Sequence, residues 1–329
     1  METLTDEQGR AVAAEAERAT PAPSRRSTSV ALLVAMRPPE WIKNVLVFAG
    51  LLFSQKLKQG PQVVDALITF VAFCAISSAG YLANDLRDAP LDRLHPEKRH
   101  RPIASRELSG SVAAIAAVVL AAIGIGISFA WVSASVAGLV ALYGVTTIAY
   151  SLILKRLVII DVMTIASLFI LRVVAGAVAV EAHASEWLLL CTAMLALFLG
   201  FTKRRQEAME EQQAVPDVSK GDAPGAPASP VTRPVLEHYS LPFLDQMVAM
   251  VTAGAIMSYA IYAVNSPLIG SKMLATGPSV LYGIFRYLYL IYDRRDTRST
   301  AAILTEDPGM VFAGVSWIGV ALLMLYVVD

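Results

Sequence analysis

Long apolar runs dominate this chain and leave it few ways to fold. A segment of about 20 predominantly apolar residues spans a bilayer as a helix, because in lipid every backbone polar group must be satisfied within the segment itself. Nine such segments are predicted, at residues 42–57, 62–86, 111–130, 132–151, 157–181, 187–202, 242–264, 274–292 and 309–328. Hydrophobic residues make up 56% of the 329 and charged residues only 16%, against roughly 25% charged in an average soluble protein. The expected fold class is therefore all-α, a polytopic membrane protein, with the first and sixth spans short enough to be tilted or partly interfacial.

The remaining composition excludes several functions. Formal net charge is zero, so bulk charge gives no reason to expect nucleic-acid binding. Cys74 and Cys191 lie in apolar runs and read as small buried hydrophobes. The four histidines, His95, His100, His183 and His238, lack metal-site spacing. Residues 1–34 are expected to form a disordered cytoplasmic tail, since they lack the apolar centre of a signal peptide. Residues 35–329 would form the membrane domain, interrupted by a Pro/Gly/Ala-rich flexible cytosolic linker at 208–235. Loop charge sets the orientation. Arg87, Arg93, Lys98, Arg99, Arg101, Arg106, Lys155, Arg156, Lys203, Arg204, Arg205, Arg294, Arg295 and Arg298 fall on one side, whereas Lys56, Lys58 and Lys272 fall on the other. This puts the N-terminus in the cytosol and the C-terminus outside.

Chemistry concentrates in NDLRDAPLD, which ends the second apolar run. Asp85, Asp88 and Asp92 stand at the membrane edge, where unpaired carboxylates are costly and mark function. In a continuing helix Asn84, Asp88 and Asp92 share a face with Asp85 beside them. Pro90 predicts that this helix frays or breaks near Asp88. Oxygen-only donors suit a hard cation such as Mg²⁺, held together with phosphate oxygens. The bland alternative is a solvated helix terminus. Arg93, Lys98, Arg99 and Arg101 follow at once and suit phosphate groups, although each alone could be an ordinary positive-inside charge.

Other candidates are less specific. Arg37, Trp41, Lys43 and Asn44 open the first span, where Trp and Lys are routine interface anchors. In YSLILKRLVIIDVMTIASLFILR, Lys155 lies in the loop, Asp161 just inside the fifth span, and Arg172 about three turns deeper. Each of the last two needs a partner elsewhere. Lys203, Arg204, Arg205 and Glu207 end the sixth span; they either complement the helix dipole or clamp a second phosphate. Tyr239 and Asp245 open the seventh.

Taken in order and spacing, these stretches resemble the UbiA superfamily of intramembrane prenyltransferases. Within it they are most similar to the decaprenyl-phosphate phosphoribosyltransferase branch. The resemblance rests on MRPPEWIKNVLVFAGLLFSQ, NDLRDAPLDRLHPEKRHRPIASREL, the Lys155–Arg172 stretch, LFLGFTKRRQE and FRYLYLIY, and covers roughly residues 35–300. It implies a nine-helix bundle in the plasma membrane and a cytoplasmic active site. It also implies transfer of 5-phosphoribose, with inversion, from phosphoribosyl pyrophosphate to a polyprenyl (decaprenyl) phosphate, giving a lipid-linked precursor for cell-wall arabinan. Asn84, Asp85, Asp88 and Asp92 would be Mg²⁺ and pyrophosphate ligands, with Asp161 joining the catalytic set. Lys43, Asn44, Arg99, Arg101, Tyr150, Lys155, Arg172, Lys203, Arg204 and Tyr239 would bind substrate. Self-association into a homo-oligomer stays open. The last cytosolic loop, YDRRDTRSTAAILTEDPGM, departs from the branch. The alternative within the superfamily is a prenyl diphosphate:aromatic prenyltransferase. A transporter built on Asp/Arg relays would instead spread its charges through both halves of the membrane.

Overall fold

The computed structural model describes residues 26–54, 56–95, 98–214, 234–266 and 270–327. Among them there are helices and no strands. A short helix α1 (Thr28–Ala35) precedes a 3₁₀ segment (Pro38–Phe48) that runs into α2 (Ala49–Phe53). Then follow α3 (Gly60–Asp92), α4 (Gly110–Trp131), α5 (Ala134–Leu152), α6 (Ile160–Ala179) and α7 (Glu186–Ala214). The second half contains α8 (Leu241–Val264), α9 (Gly277–Tyr292), α10 (Thr300–Glu306) and α11 (Pro308–Tyr326).

Seven of these helices are long and apolar enough to cross a membrane: α3 to α8 and α11. The other two expected spans are helical but shorter, namely the segment from Pro38 to Phe53 and the 16-residue α9. The expected count of nine thus has nine helical counterparts, of which seven meet the spanning criterion on their own. The sixth expected span is not short: α7 has 29 residues. It runs on through Ala208, which is buried, so the first residues of the expected linker are helical; residues 215–233 lie outside the described set. In the expected tail, the apolar run after Ser27 forms α1. Ser27 caps its first turn, and Ala31 and Ala35 pack against Leu82, Ala89 and Ile103. Residues 1–25 also lie outside the described set.

Length places the functional ends. At 1.5 Å per residue the 33-residue α3 measures about 50 Å, well beyond a hydrocarbon core of about 30 Å. Its last turns therefore stand at the membrane edge and carry Asn84 to Asp92. Pro90 does not break it. Its missing N–H costs one bond in the final turn, and the Arg93 N–H still reaches the carbonyls of Ala89 and Leu91.

Two sub-bundles share the interior. Val47, Phe73, Ile76, Val140, Tyr143 and Leu168 fill the first, and Phe198, Phe201, Leu244, Val248, Tyr287 and Ile291 fill the second. The Pro38–Phe48 segment lies directly on α6. A Cβ added at Gly176 would sit 1.9 Å from the Val47 carbonyl oxygen, so only glycine permits that approach. Close backbone contact through small residues is the usual basis of helix association in lipid.

Candidate active site

The acids along one face at the end of α3 meet different partners. Asp85 and Asp92, two turns apart, point the same way and are both buried. Arg101 Nη1 donates to both, at 3.2 Å to Asp85 and 2.8 Å to Asp92. Arg37 Nη2 straddles the two oxygens of Asp85 at 2.6 and 2.9 Å. Asn84 and Asp88 turn instead toward the α5–α6 connection. Ser151 Oγ donates to Asn84 at 2.8 Å, and Lys155 Nζ meets both Asp88 oxygens at 3.2 and 3.0 Å. Arg87 fastens the same connection by donating to the carbonyls of Ser151 and Leu152. Because α3 stays helical to Asp92, Asn84, Asp88 and Asp92 share a face as expected, with Asp85 beside them. Within that face Asp85 and Asp92 share Arg101, whereas Asn84 and Asp88 meet the α5–α6 connection.

A second network adjoins the first through the turn after Lys155. Asp161 is fully buried; its Oδ1 accepts from Tyr239 Oη at 2.8 Å and its Oδ2 lies 2.9 Å from Arg204 Nε. That last contact is coulombic: the Nε–H does not point at the oxygen, and among the described residues neither atom completes a hydrogen bond. Arg204, 1% exposed, also pairs with Glu207 and donates to Tyr150 Oη at 3.4 Å. Tyr239 Oη accepts the Ile159 N–H at 2.6 Å. Ile159 has φ +69° and ψ −45°, and the Ile160 N–H returns to the Val158 carbonyl at 2.8 Å. This is the rare, strained γ-turn, occupied by a β-branched residue that disfavours positive φ.

Four expected residues, Arg172, Asn44, Arg99 and Lys43, lie apart from these acids. Arg172 is buried, with neutral partners: Nε donates to Asn44 Oδ1 at 2.8 Å, Nη2 to Tyr143 Oη at 2.7 Å and Nη1 to the Leu168 carbonyl at 2.9 Å. Arg172 and Asn44 thus form a deeper brace one turn from the Gly176 contact. Arg99 is exposed and donates to His100. Lys43 pairs with Glu40. Sequence reasoning singled out Arg37 at the entry to the first span without giving it a role, and passed over Glu40. The Arg37 guanidinium also lies over Tyr81, 5.1 Å from the ring centroid.

The donors suit a hard cation that brings oxygen ligands of its own. Among the described residues no three His, Cys, Asp or Glu side chains are gathered into a ready-made metal site. Mg²⁺, however, is commonly held by only one or two carboxylates plus substrate phosphates. Arg101 Nη1 already places positive charge between Asp85 and Asp92, which shows that the two carboxylates can share one cationic partner.

Comparison with known proteins agrees with this architecture. Residues 44–315 match the model of the UbiA prenyltransferase family. The chain is 34% identical over 239 residues to a decaprenyl-phosphate phosphoribosyltransferase of Corynebacterium glutamicum, a match covering 70% of this chain and 66% of that protein. A protein of the same name from Mycolicibacterium smegmatis is 31% identical over 236 residues, 70% of each chain. The structure of a UbiA homolog from Archaeoglobus fulgidus bound to DMAPP and Mg²⁺ superposes with a TM-score of 0.65 at 16% identity, covering 90% of this chain and 99% of that one. The family match runs from the first membrane segment to the last helix, across both networks: the chain belongs to the UbiA prenyltransferase family.

Proposed function

We propose that this protein transfers 5-phosphoribose from phosphoribosyl pyrophosphate to a polyprenyl phosphate in a Mg²⁺-dependent reaction. The observation that carries the reading is the helix end at which Arg101 and Lys155, from two separate segments, pair with Asp92 and Asp88. Such a place balances charge around a phosphate-rich ligand. The names of the corynebacterial and mycobacterial relatives support the substrate pair.

Asp85, Asp92 and Asp88 would hold the metal, with Asn84 beside them. Bound there, Mg²⁺ would supply Lewis-acid polarisation of the diphosphate leaving group. Arg101 and Lys155, turned from carboxylate to phosphate, would donate to oxygens that gain charge as the bond breaks. Lys43, paired with Glu40, and Lys203 would hold further phosphate groups. The acceptor phosphate is already an anion, so its oxygen can attack the anomeric carbon without a strong base. The C–O bond to diphosphate breaks, and polyprenyl-phosphoryl-5-phosphoribose, a precursor for cell-wall arabinan, leaves with the lipid. Asp161 and Arg204 would orient the turn that presents Lys155. An open groove of about 690 Å³ between α8 and α9 is apolar along Val248, Ala249, Ala253, Ile256 and Leu288 and carries Asp245 and Asp293 among its lining; its apolar stretch would take part of the isoprenoid tail. The charged segments meet at one end of the bundle, which the positive-inside rule assigns to the cytosolic face of the plasma membrane.

The test is a purified-protein assay with Mg²⁺ that offers labelled phosphoribosyl pyrophosphate and polyprenyl phosphate, in parallel with a prenyl diphosphate and an aromatic acid. Label should enter the lipid fraction and be lost on chelation. Prenylation of the aromatic acid in its place would overturn the reading.

A further inference from the structure

Arg37 owes its position to an uncommon backbone. It follows α1, precedes Pro38 and Pro39, and takes the left-handed conformation at φ 56° and ψ 61°, which L-residues generally avoid. Both flanks are fastened to α3. Ser78 Oγ donates to the Met36 carbonyl at 3.1 Å, and Trp41 Nε1 donates to Ser78 Oγ at 3.1 Å. From that anchor the guanidinium spans both oxygens of Asp85, whose side chain is 3% exposed, while Arg101 joins Asp85 to Asp92. Two carboxylates therefore meet two guanidinium groups, and this part of the site is electrically balanced before any ligand arrives.

That balance governs what can enter. A bare divalent cation at Asp85 would leave excess positive charge in a half-buried site, where Coulomb energies exceed those in water several-fold. A divalent cation that carries a diphosphate brings compensating negative charge. The guanidinium groups can then exchange carboxylate for phosphate oxygens and keep charge-assisted hydrogen bonds. We propose that Arg37 is a specificity-determining residue that bars free metal from Asp85 and admits it only in company with a diphosphate. The inference rests on the metal–diphosphate reading above and adds to it an obligatory coupling of the two ligands.

The experiment uses Mn²⁺, detected by electron paramagnetic resonance, with the full chain in lipid nanodiscs and no acceptor lipid. The wild type should bind Mn²⁺ weakly alone and at least about tenfold more tightly with inorganic pyrophosphate. Arg37→Gln keeps a hydrogen-bonding side chain and removes the charge. It should bind Mn²⁺ alone about tenfold more tightly than the wild type, with a smaller gain from pyrophosphate. Arg37→Lys keeps the charge and should retain the wild-type discrimination. A purely architectural role would instead weaken Mn²⁺ binding in both variants. Equal affinity for free Mn²⁺ in the wild type and Arg37→Gln, with the pyrophosphate gain intact, overturns the inference and leaves the metal–diphosphate reading standing. A wild type that ignores Mn²⁺ even with pyrophosphate overturns both. Should Arg37→Gln fail to fold, Arg37→Met keeps side-chain length without charge, and an unchanged affinity for free Mn²⁺ there overturns the proposal.

Discussion

The acids at the end of α3 and Asp161 sit side by side, yet their charges are met in opposite ways. Asp85, Asp88 and Asp92 pair with Arg37, Arg101 and Lys155, whose side chains are 29%, 28% and 20% exposed. Those cations come from three separate segments and can reach water or a ligand. Asp161 faces Arg204, and both side chains are sealed at 0% and 1%. A partly exposed pair such as Lys155–Asp88, at 20% and 25%, contributes little to stability and is free to change partners. The partners of the buried Asp85 and Asp92 can leave only for a ligand that meets the carboxylate charge. A sealed pair cannot lose one member without leaving a buried charge alone. The difference separates acids that can turn to a ligand from an acid that holds the scaffold around them.

The sharpest way to break this contrast is Asp161→Ala. It should cost about 3 kcal/mol of stability, the low end for a broken buried pair because Arg204 keeps Glu207, measured as a fall in thermal midpoint in detergent. A variant as stable as the wild type would show the pair to be as replaceable as its neighbours. Asp88→Asn should do the reverse: transfer falls about 100- to 1,000-fold, some 3–4 kcal/mol of barrier, while the thermal midpoint stays near that of the wild type. Near-normal turnover there would sink the metal assignment. Tyr239→Phe removes the hydroxyl shared by Asp161 and the Ile159 N–H. It should cost about 1–3 kcal/mol, with a rise in hydrogen exchange at Ile159 and Ile160 as the local signature. Lys155→Met should change stability by less than about 1 kcal/mol but raise the KM for the diphosphate donor. A stability loss as large as that of Asp161→Ala would place Lys155 with the scaffold.

Much of the fold is legible because bilayer physics is coarse. Apolar length alone locates α3 to α8 and α11, and the clustering of NDLRDAPLD with basic residues locates the end where chemistry gathers. The failures are local. Pro90 reads as a breaker, but so near a helix terminus it forfeits only one bond. The apolar run of α1 looks too short to matter until Ala31 and Ala35 find the groove beside Leu82. Arg37 could not be assigned because its role depends on a left-handed φ at a residue preceding proline, a state that sequence preferences argue against. Asp161 with Arg204 and Arg172 with Asn44 are tertiary pairings; each residue advertises the need for a partner, and the pattern is silent on which partner answers.

Gly176, finally, makes two membrane segments into one mechanical part. With no room for even a methyl group beneath Val47, the helix that begins at Pro38 cannot tilt without levering α6, and the Arg172–Asn44 brace ties them again one turn away. A bilayer of different thickness, which shifts helices by fractions of a kcal/mol per ångström, would thus act on Lys43 and on the Ile159 bend together. One glycine thereby lets bilayer thickness reach both segments at once.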